Sequence, residues 1–171
     1  MNTMSRIAVA LAVSVALVAC AKKVKEQPPV QETVTEQETV VTQPVDDGRY
    51  SPEDLDTDSC LRQRVVYFDF DQASIRPEFQ AIVACHAKYL QDRSSAQITL
   101  ESHADERGSR EYNLGLGERR GNAVQDAVVA NGGSQSQLTV VSYGEERPTC
   151  MESDEGCWSQ NRRVEIVYTA K

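Results

Sequence analysis

Residues 97–133, QITLESHADERGSREYNLGLGERRGNAVQDAVVANGG, change their hydrophobic period once, and that change decides the fold. Ile98 and Leu100 lie on one face of an alternating segment, which predicts a strand over 97–102. A polar loop over 105–110, with Gly108 in it, follows. Leu114, Ala123, Val124, Ala127 and Val128 then recur at helical spacing, so a helix is expected over about 111–130 with these side chains inward. Asn131-Gly132-Gly133 supplies its stop. Gly115, Gly117 and Gly121 weaken the first half of that helix by roughly 1 kcal/mol each.

Working outward, Val65-Val66-Tyr67-Phe68 has the β-branched and aromatic character of a buried strand. Pro77 suits the first turn of a helix whose apolar stripe is Phe79, Ile82, Val83, His86, Ala87 and Leu90. Downstream, 138–143 and 163–169 read as two further strands. The order β-α-β-α-β-β predicts an α/β sandwich, two helices packed on one mixed sheet, over a domain at 60–171. That domain has 16 acidic and 13 basic residues, net −3, which gives no footprint for nucleic acid.

Toward the N-terminus the pattern is that of export. Arg6 precedes an apolar run over 7–18 that is too short to span a bilayer, and Leu17-Val18-Ala19-Cys20 closes it. This resembles the lipobox of bacterial lipoproteins, which implies a signal peptide over 1–19 and lipid on the sulfur and amine of Cys20. Several acyl chains hold a protein where one would not. In those lipoproteins an Asp after the cysteine favours the inner membrane; Ala21 here points to the outer membrane, facing the periplasm. Residues 20–59 are expected to form a lipidated, disordered, acidic linker. From residue 21 on, ten acids stand against four bases with few large apolar side chains. As a coil it would average roughly 35 Å and stretch to ~130 Å. Lys22, Lys23 and Lys25 sit where they can meet anionic head groups.

Four cysteines follow Cys20, and an even number in an oxidising compartment reads as two disulfides. Three pairings are open. The one expected joins Cys60 to Cys85, pinning the domain's entrance to its first helix, and Cys150 to Cys157, closing the polar loop between them. The spacing lacks the close Cys-x-x-Cys pairs of zinc sites, and no metal or cofactor is expected.

The densest polar cluster is His103-Ala104-Asp105-Glu106-Arg107-Gly108, continued by Asn113, Glu118, Arg119 and Arg120. An Asp and an Arg at a strand-to-helix junction read either as a structural ion pair or as a receptor for a zwitterion. In the second case Asp105 takes an ammonium and Arg120 grips a carboxylate with its two-pronged fork. A hydrolase built on Ser102 and His103, or on His103 with Asp105 and Glu106, is the rival enzymatic reading. Neighbours on a strand point to opposite faces, which argues against the first pair. His86 on the apolar stripe reads as a satisfied core histidine, and Trp158 as a packing residue near the last strand.

These residues resemble a known family. Tyr67-Phe68-Asp69-Phe70-Asp71, residues 102–108, Tyr112-Asn113, residues 116–120, residues 142–148 and Asn161-Arg162-Arg163-Val164 are similar, in this order, to motifs of the peptidoglycan-associated lipoproteins, the Pal family. The resemblance covers the whole domain and the lipid signal. It implies an OmpA-like fold, and non-covalent binding of peptidoglycan stem peptides without cleavage. Asp105 and Arg120 would hold the free end of meso-diaminopimelate, with Phe70, Asp71, Arg107, Ser109, Asn113 and Leu116 lining the pocket. A lysine stem lacks the second carboxylate and would leave Arg120 unpaired. Gly115 and Gly121 stand where relatives more often carry Ser or Ala, and the Cys150–Cys157 loop is a further departure. The resemblance also implies membership of the Tol-Pal system, with roles in envelope integrity and in drawing in the outer membrane at cell division. TolB would dock on the wall-binding face, making a protein-interaction module the alternative reading.

Overall fold

Alternation and helical spacing resolve into one open, mixed four-stranded sheet with helices packed on it. The structure is a computed structural model and describes residues 47–171. The signal at 1–19, the lipidation site Cys20 and the linker as far as residue 46 lie outside the described residues. The elements run α1 (Asp54–Thr57), β1 (Val65–Tyr67), a 3-10 turn (Pro77–Phe79), α2 (Gln80–Asp92), β2 (Gln97–His103), α3 (Arg110–Ala130), β3 (Leu138–Gly144), α4 (Glu155–Asn161) and β4 (Arg163–Ala170). The expected β-α-β-α-β-β order holds, with the short α1 and α4 added to it. Among the described residues no helix is long and apolar enough to cross a membrane.

Tyr50 and Leu55, within the span expected to be linker, pack into the folded unit. Leu55 on α1 is fully buried in the same core as Leu61, Val83, Tyr89 and Leu90, and Tyr50 packs against that core. One leucine among acids carries no periodicity, so an element held by tertiary burial alone left no pattern to read. Cys60 and Cys85 are bonded, as are Cys150 and Cys157, the pairing expected.

Strand order is β1-β4-β2-β3, with β4 antiparallel to β1 and β2, and β3 parallel to β2. The C-terminal ends of β1, β2 and β3 and the start of β4 therefore meet at one edge. Ligands of open α/β sheets favour such an edge because loops from several strands converge there. On α3 the inward face is Asn113, Leu116, Gly117, Arg120, Gly121, Val124 and Val128. Leu114, Ala123 and Ala127, expected inward, are only half-buried. Gly121 shows why the helix sits where it does: a Cβ there would lie 2.5 Å from Ser102 Oγ and from Val140 Cγ1, so only glycine lets α3 approach β2 and β3 this closely.

Candidate functional site

At the converging edge, the loop after β1 and the loop after β2 face the first half of α3 across a cavity of about 220 Å³. Phe70 and Asp71 come from the first loop, Asp105, Arg107 and Gly108 from the second, and Tyr112, Asn113, Leu116 and Arg120 from the helix. Of the eight residues singled out by sequence, seven line this one cavity. Ser109 does not: its hydroxyl is the N-cap of α3, accepting from the Tyr112 backbone N–H at 3.2 Å. Asp71 adopts a left-handed backbone conformation, φ 56°, and accepts a hydrogen bond from the Tyr112 hydroxyl, which ties the first loop to the helix.

Arg120 is fully buried, and its guanidinium knits the two loops together. Nε donates to the Gln72 carbonyl at 2.8 Å, Nη1 to the His103 carbonyl at 3.0 Å and Nη2 to the Asp69 carbonyl at 3.1 Å. A guanidinium has five N–H donors, so two remain beyond these three bonds. Burial lowers its pKa to about 10, partly countered by Asp105, so it stays cationic at neutral pH. A buried cation hydrogen-bonded to three neutral carbonyls, with Asp105 acting on it only at longer range, is incompletely compensated, which makes it a receptive partner for an anion.

Asp105 is buried a short way along the same wall. It pairs with Arg107, Nη2 to Oδ2 at 2.7 Å, and with Arg162, Nη1 to Oδ2 at 3.2 Å, rather than with Arg120. Burial alone would push its carboxyl up, but the hydrogen bonds from Arg107 and Arg162 outweigh it and hold the carboxyl below the ordinary value. The Arg107 guanidinium rests on the rings of Phe70 and Trp158, 4.0 and 4.1 Å from their centroids. Trp158 Nε1 in turn donates to Glu106 at 3.1 Å. The cavity is thus lined both by the Asp105 carboxylate, paired with Arg107, and by the Arg120 guanidinium, with Phe70, 54 % exposed, beside them.

Sequence reasoning missed Tyr112 and Arg162. Tyr112 was within reach, since 112, 113, 116 and 120 share one helical face. Arg162 stood in the Asn161-Arg162-Arg163-Val164 motif, but nothing local pointed to its pairing with Asp105, 57 residues away in the chain. Ser102 and His103 part company as expected of neighbours on a strand. Ser102 Oγ lies under Gly121, and the His103 ring stacks on Tyr143 at 5.5 Å. His86 is buried in the core with Nδ1 against the Tyr168 hydroxyl at 2.8 Å and Nε2 against the Gln63 carbonyl at 2.9 Å. Among the described residues no cluster of three or more His, Cys, Asp or Glu is placed to hold a metal ion.

The sequence profile of the OmpA family matches residues 67–162. The chain is 50% identical over 113 residues to the peptidoglycan-associated lipoprotein of Pseudomonas aeruginosa, covering 66% of this chain and 67% of that one. It is 40% identical over 121 residues to the peptidoglycan-associated lipoprotein of Pasteurella multocida, covering 71% and 78%. The crystal structure of the peptidoglycan-associated lipoprotein from Burkholderia pseudomallei superposes with a TM-score of 0.65 at 42% identity, covering 66% of this chain and 96% of that one.

Proposed function

The chain belongs to the OmpA family, in the company of its peptidoglycan-associated lipoproteins, and from that premise we propose that it binds peptidoglycan without cutting it and tethers the outer membrane to the wall. Lipid on Cys20 would hold one end at the periplasmic face of the outer membrane, and the acidic linker would let the folded unit reach the wall. The observation that carries the reading is that a buried carboxylate, Asp105, and a buried guanidinium, Arg120, line one cavity. Meso-diaminopimelate ends in an ammonium and a carboxylate on one carbon, which is the complementary pattern. Arg120 keeps two N–H donors for a bidentate carboxylate, while Asp105 is the acceptor for the ammonium. Phe70, Asp71, Tyr112, Asn113 and Leu116 then enclose the ligand's stem. Exclusion of water between the charges raises what each pairing contributes.

Sedimentation of the protein with isolated walls tests this. The wild type is expected to pellet with diaminopimelate-type wall and far less with lysine-type wall, and Arg120→Ala and Asp105→Ala to remain in the supernatant while folded by circular dichroism. Folded variants that still pellet with diaminopimelate wall sink the assignment, and soluble muropeptide released on long incubation would overturn the non-enzymatic reading.

A second reading concerns the same mouth. Phe70 and Tyr112 are exposed at the rim of the cavity, an arrangement suited to a protein anchor as well as to a sugar-peptide. TolB of the Tol system docking there would exclude the wall, so occupancy would shift between two partners by their relative affinities. Simultaneous, non-antagonistic binding of purified TolB and muropeptide removes that reading.

A further inference from the structure

The carboxylate that lines the cavity already has its acceptor positions filled. Asp105 Oδ1 accepts from the backbone N and the Nε of Arg107 at 3.1 and 3.2 Å, and Oδ2 from Arg107 Nη2 at 2.7 Å and Arg162 Nη1 at 3.2 Å. A carboxylate offers about four lone-pair positions, so a ligand ammonium reaches Asp105 only when one guanidinium turns away. A guanidinium that turns away beside a buried site needs another anion.

Glu155 is that anion. Its Oε1 lies 2.5 Å from Arg162 Nη2 and its Oε2 3.5 Å from Arg107 Nη2. Arg107, Asp105, Arg162 and Glu155 therefore close a ring of alternating charge. Arg162 is the fixed member, buried and bonded through Nε to the Phe68 carbonyl at 3.0 Å. Arg107 is the member with room to move, its side chain partly exposed and lying against two flat rings. Glu155 owes its place to the cross-linked loop. Asp154 caps α4 by accepting from the Cys157 N–H at 2.9 Å, Cys157 is bonded to Cys150, and Asn161 Oδ1 accepts from the backbone of Thr149 and Cys150.

We propose that Glu155 is a positioning residue for the ammonium half of the pocket: it receives Arg107 when a ligand ammonium takes the place of that guanidinium on Asp105, and the Cys150–Cys157 staple holds it at the distance this exchange needs. The proposal rests on the reading of Asp105 as the ammonium acceptor. Without Glu155, Arg107 would surrender its one remaining carboxylate on each binding event, and the ammonium alone would be penalised. The carboxylate end, held by Arg120, would be untouched.

The test uses the full-length lipoprotein in detergent, titrated with a muropeptide ending in meso-diaminopimelate and with the same muropeptide acetylated on the free diaminopimelate amine. Glu155→Gln is expected to weaken the free-amine ligand about fivefold, the scale of a partly exposed ion pair, and to leave the acetylated ligand unchanged. Glu155→Asp should recover part of the loss, and the pair Cys150→Ser with Cys157→Ser should reproduce the glutamine pattern. Equal weakening of both ligands by Glu155→Gln, or none of the free-amine ligand, overturns the proposal. Arg120→Ala run in parallel separates the two failures. If it binds both ligands like the wild type, the pocket reading has failed; if it loses both while Glu155→Gln changes nothing, only the role of Glu155 has.

Discussion

At the end of the sheet where β2 begins and β4 finishes, the interior is neutral and aromatic: Leu55, Leu61, Tyr89, His86 and Tyr168 meet there, with the Tyr89 and Tyr168 rings edge to face at 5.2 Å. At the opposite end, where β2 finishes and β4 begins, the buried side chains include Asp105, Arg120 and Arg162. The two ends belong to one sheet and one core, yet they bury opposite chemistry. Apolar burial contributes to stability in proportion to area, whereas buried charge breaks even at best against an apolar replacement. Keeping Asp105, Arg120, Arg162 and Arg163 buried at one end, with a cavity beside them, is the pattern expected if that end serves the proposed ligand rather than stability.

Removing one charge should break that division most severely. Asp105→Ala leaves Arg162 without its buried partner and is expected to destabilise the fold by about 3–5 kcal/mol in urea unfolding, as well as to abolish wall binding. Its reverse at the neutral end is Leu55→Ala, expected to lower stability by about 2–5 kcal/mol while wall binding of the folded fraction stays at the wild-type level. A wall-binding defect in that variant would show that the ends are coupled.

Acid should also separate the ends. Burial lowers the pKa of His86 to about 4, so the unfolded chain binds the extra proton first. The stabilisation from neutral His86 is present above about pH 6.5 and is lost as pH falls toward 4, an effect of about 3 kcal/mol. His103, lowered to about 4 chiefly by burial, adds to the same slope. Asp105 works in a lower window: its folded carboxyl lies below the ordinary value, so its contribution is intact above about pH 4 and disappears only as pH falls through the folded value. Unfolding midpoints measured from pH 7 to 3 should therefore decline in two stages, and His86→Gln should make the first about half as steep, His103 keeping its share, without moving the second. A single stage unaltered by that variant would contradict the assignment.

The smallest contrast lies between the disulfides. Cys60–Cys85 closes a separation of 25 residues and Cys150–Cys157 one of 7, so loop-closure entropy assigns them ~3.5 and ~2.4 kcal/mol. Replacing the first pair by serine should lower stability more and leave binding alone. Replacing the second should lower stability less and weaken binding, because that loop carries Glu155 and Trp158. A double-serine series read by both urea unfolding and wall sedimentation checks the crossing.

Much of this was legible in residue order. Periodicity located the four strands and the helices α2 and α3 to within a few residues, because Ile98 with Leu100 and Val124 with Val128 must each share one apolar face. Motif order brought Phe70, Asp71, Asp105, Arg107, Asn113, Leu116 and Arg120 together before any coordinates did. The short helices were not legible. Leu55 on α1 and Cys157 on α4 are held by contacts distant in sequence, in segments too polar and too brief for a hydrophobic period.

By itself, then, the sequence determined the two periods, the element order and the residue types available to the site, since these follow from local sterics and from which side chains leave water. Only the tertiary structure decided who pairs with whom. In the sequence Asp105 and Arg120 read either as an ion pair or as two grips on one ligand; the fold gives Asp105 to Arg107 and Arg162 and surrounds Arg120 with three carbonyls, so they are not an ion pair. Ion pairing depends on distance and burial, and those arise only when β1, β2 and β4 bring their ends to one edge.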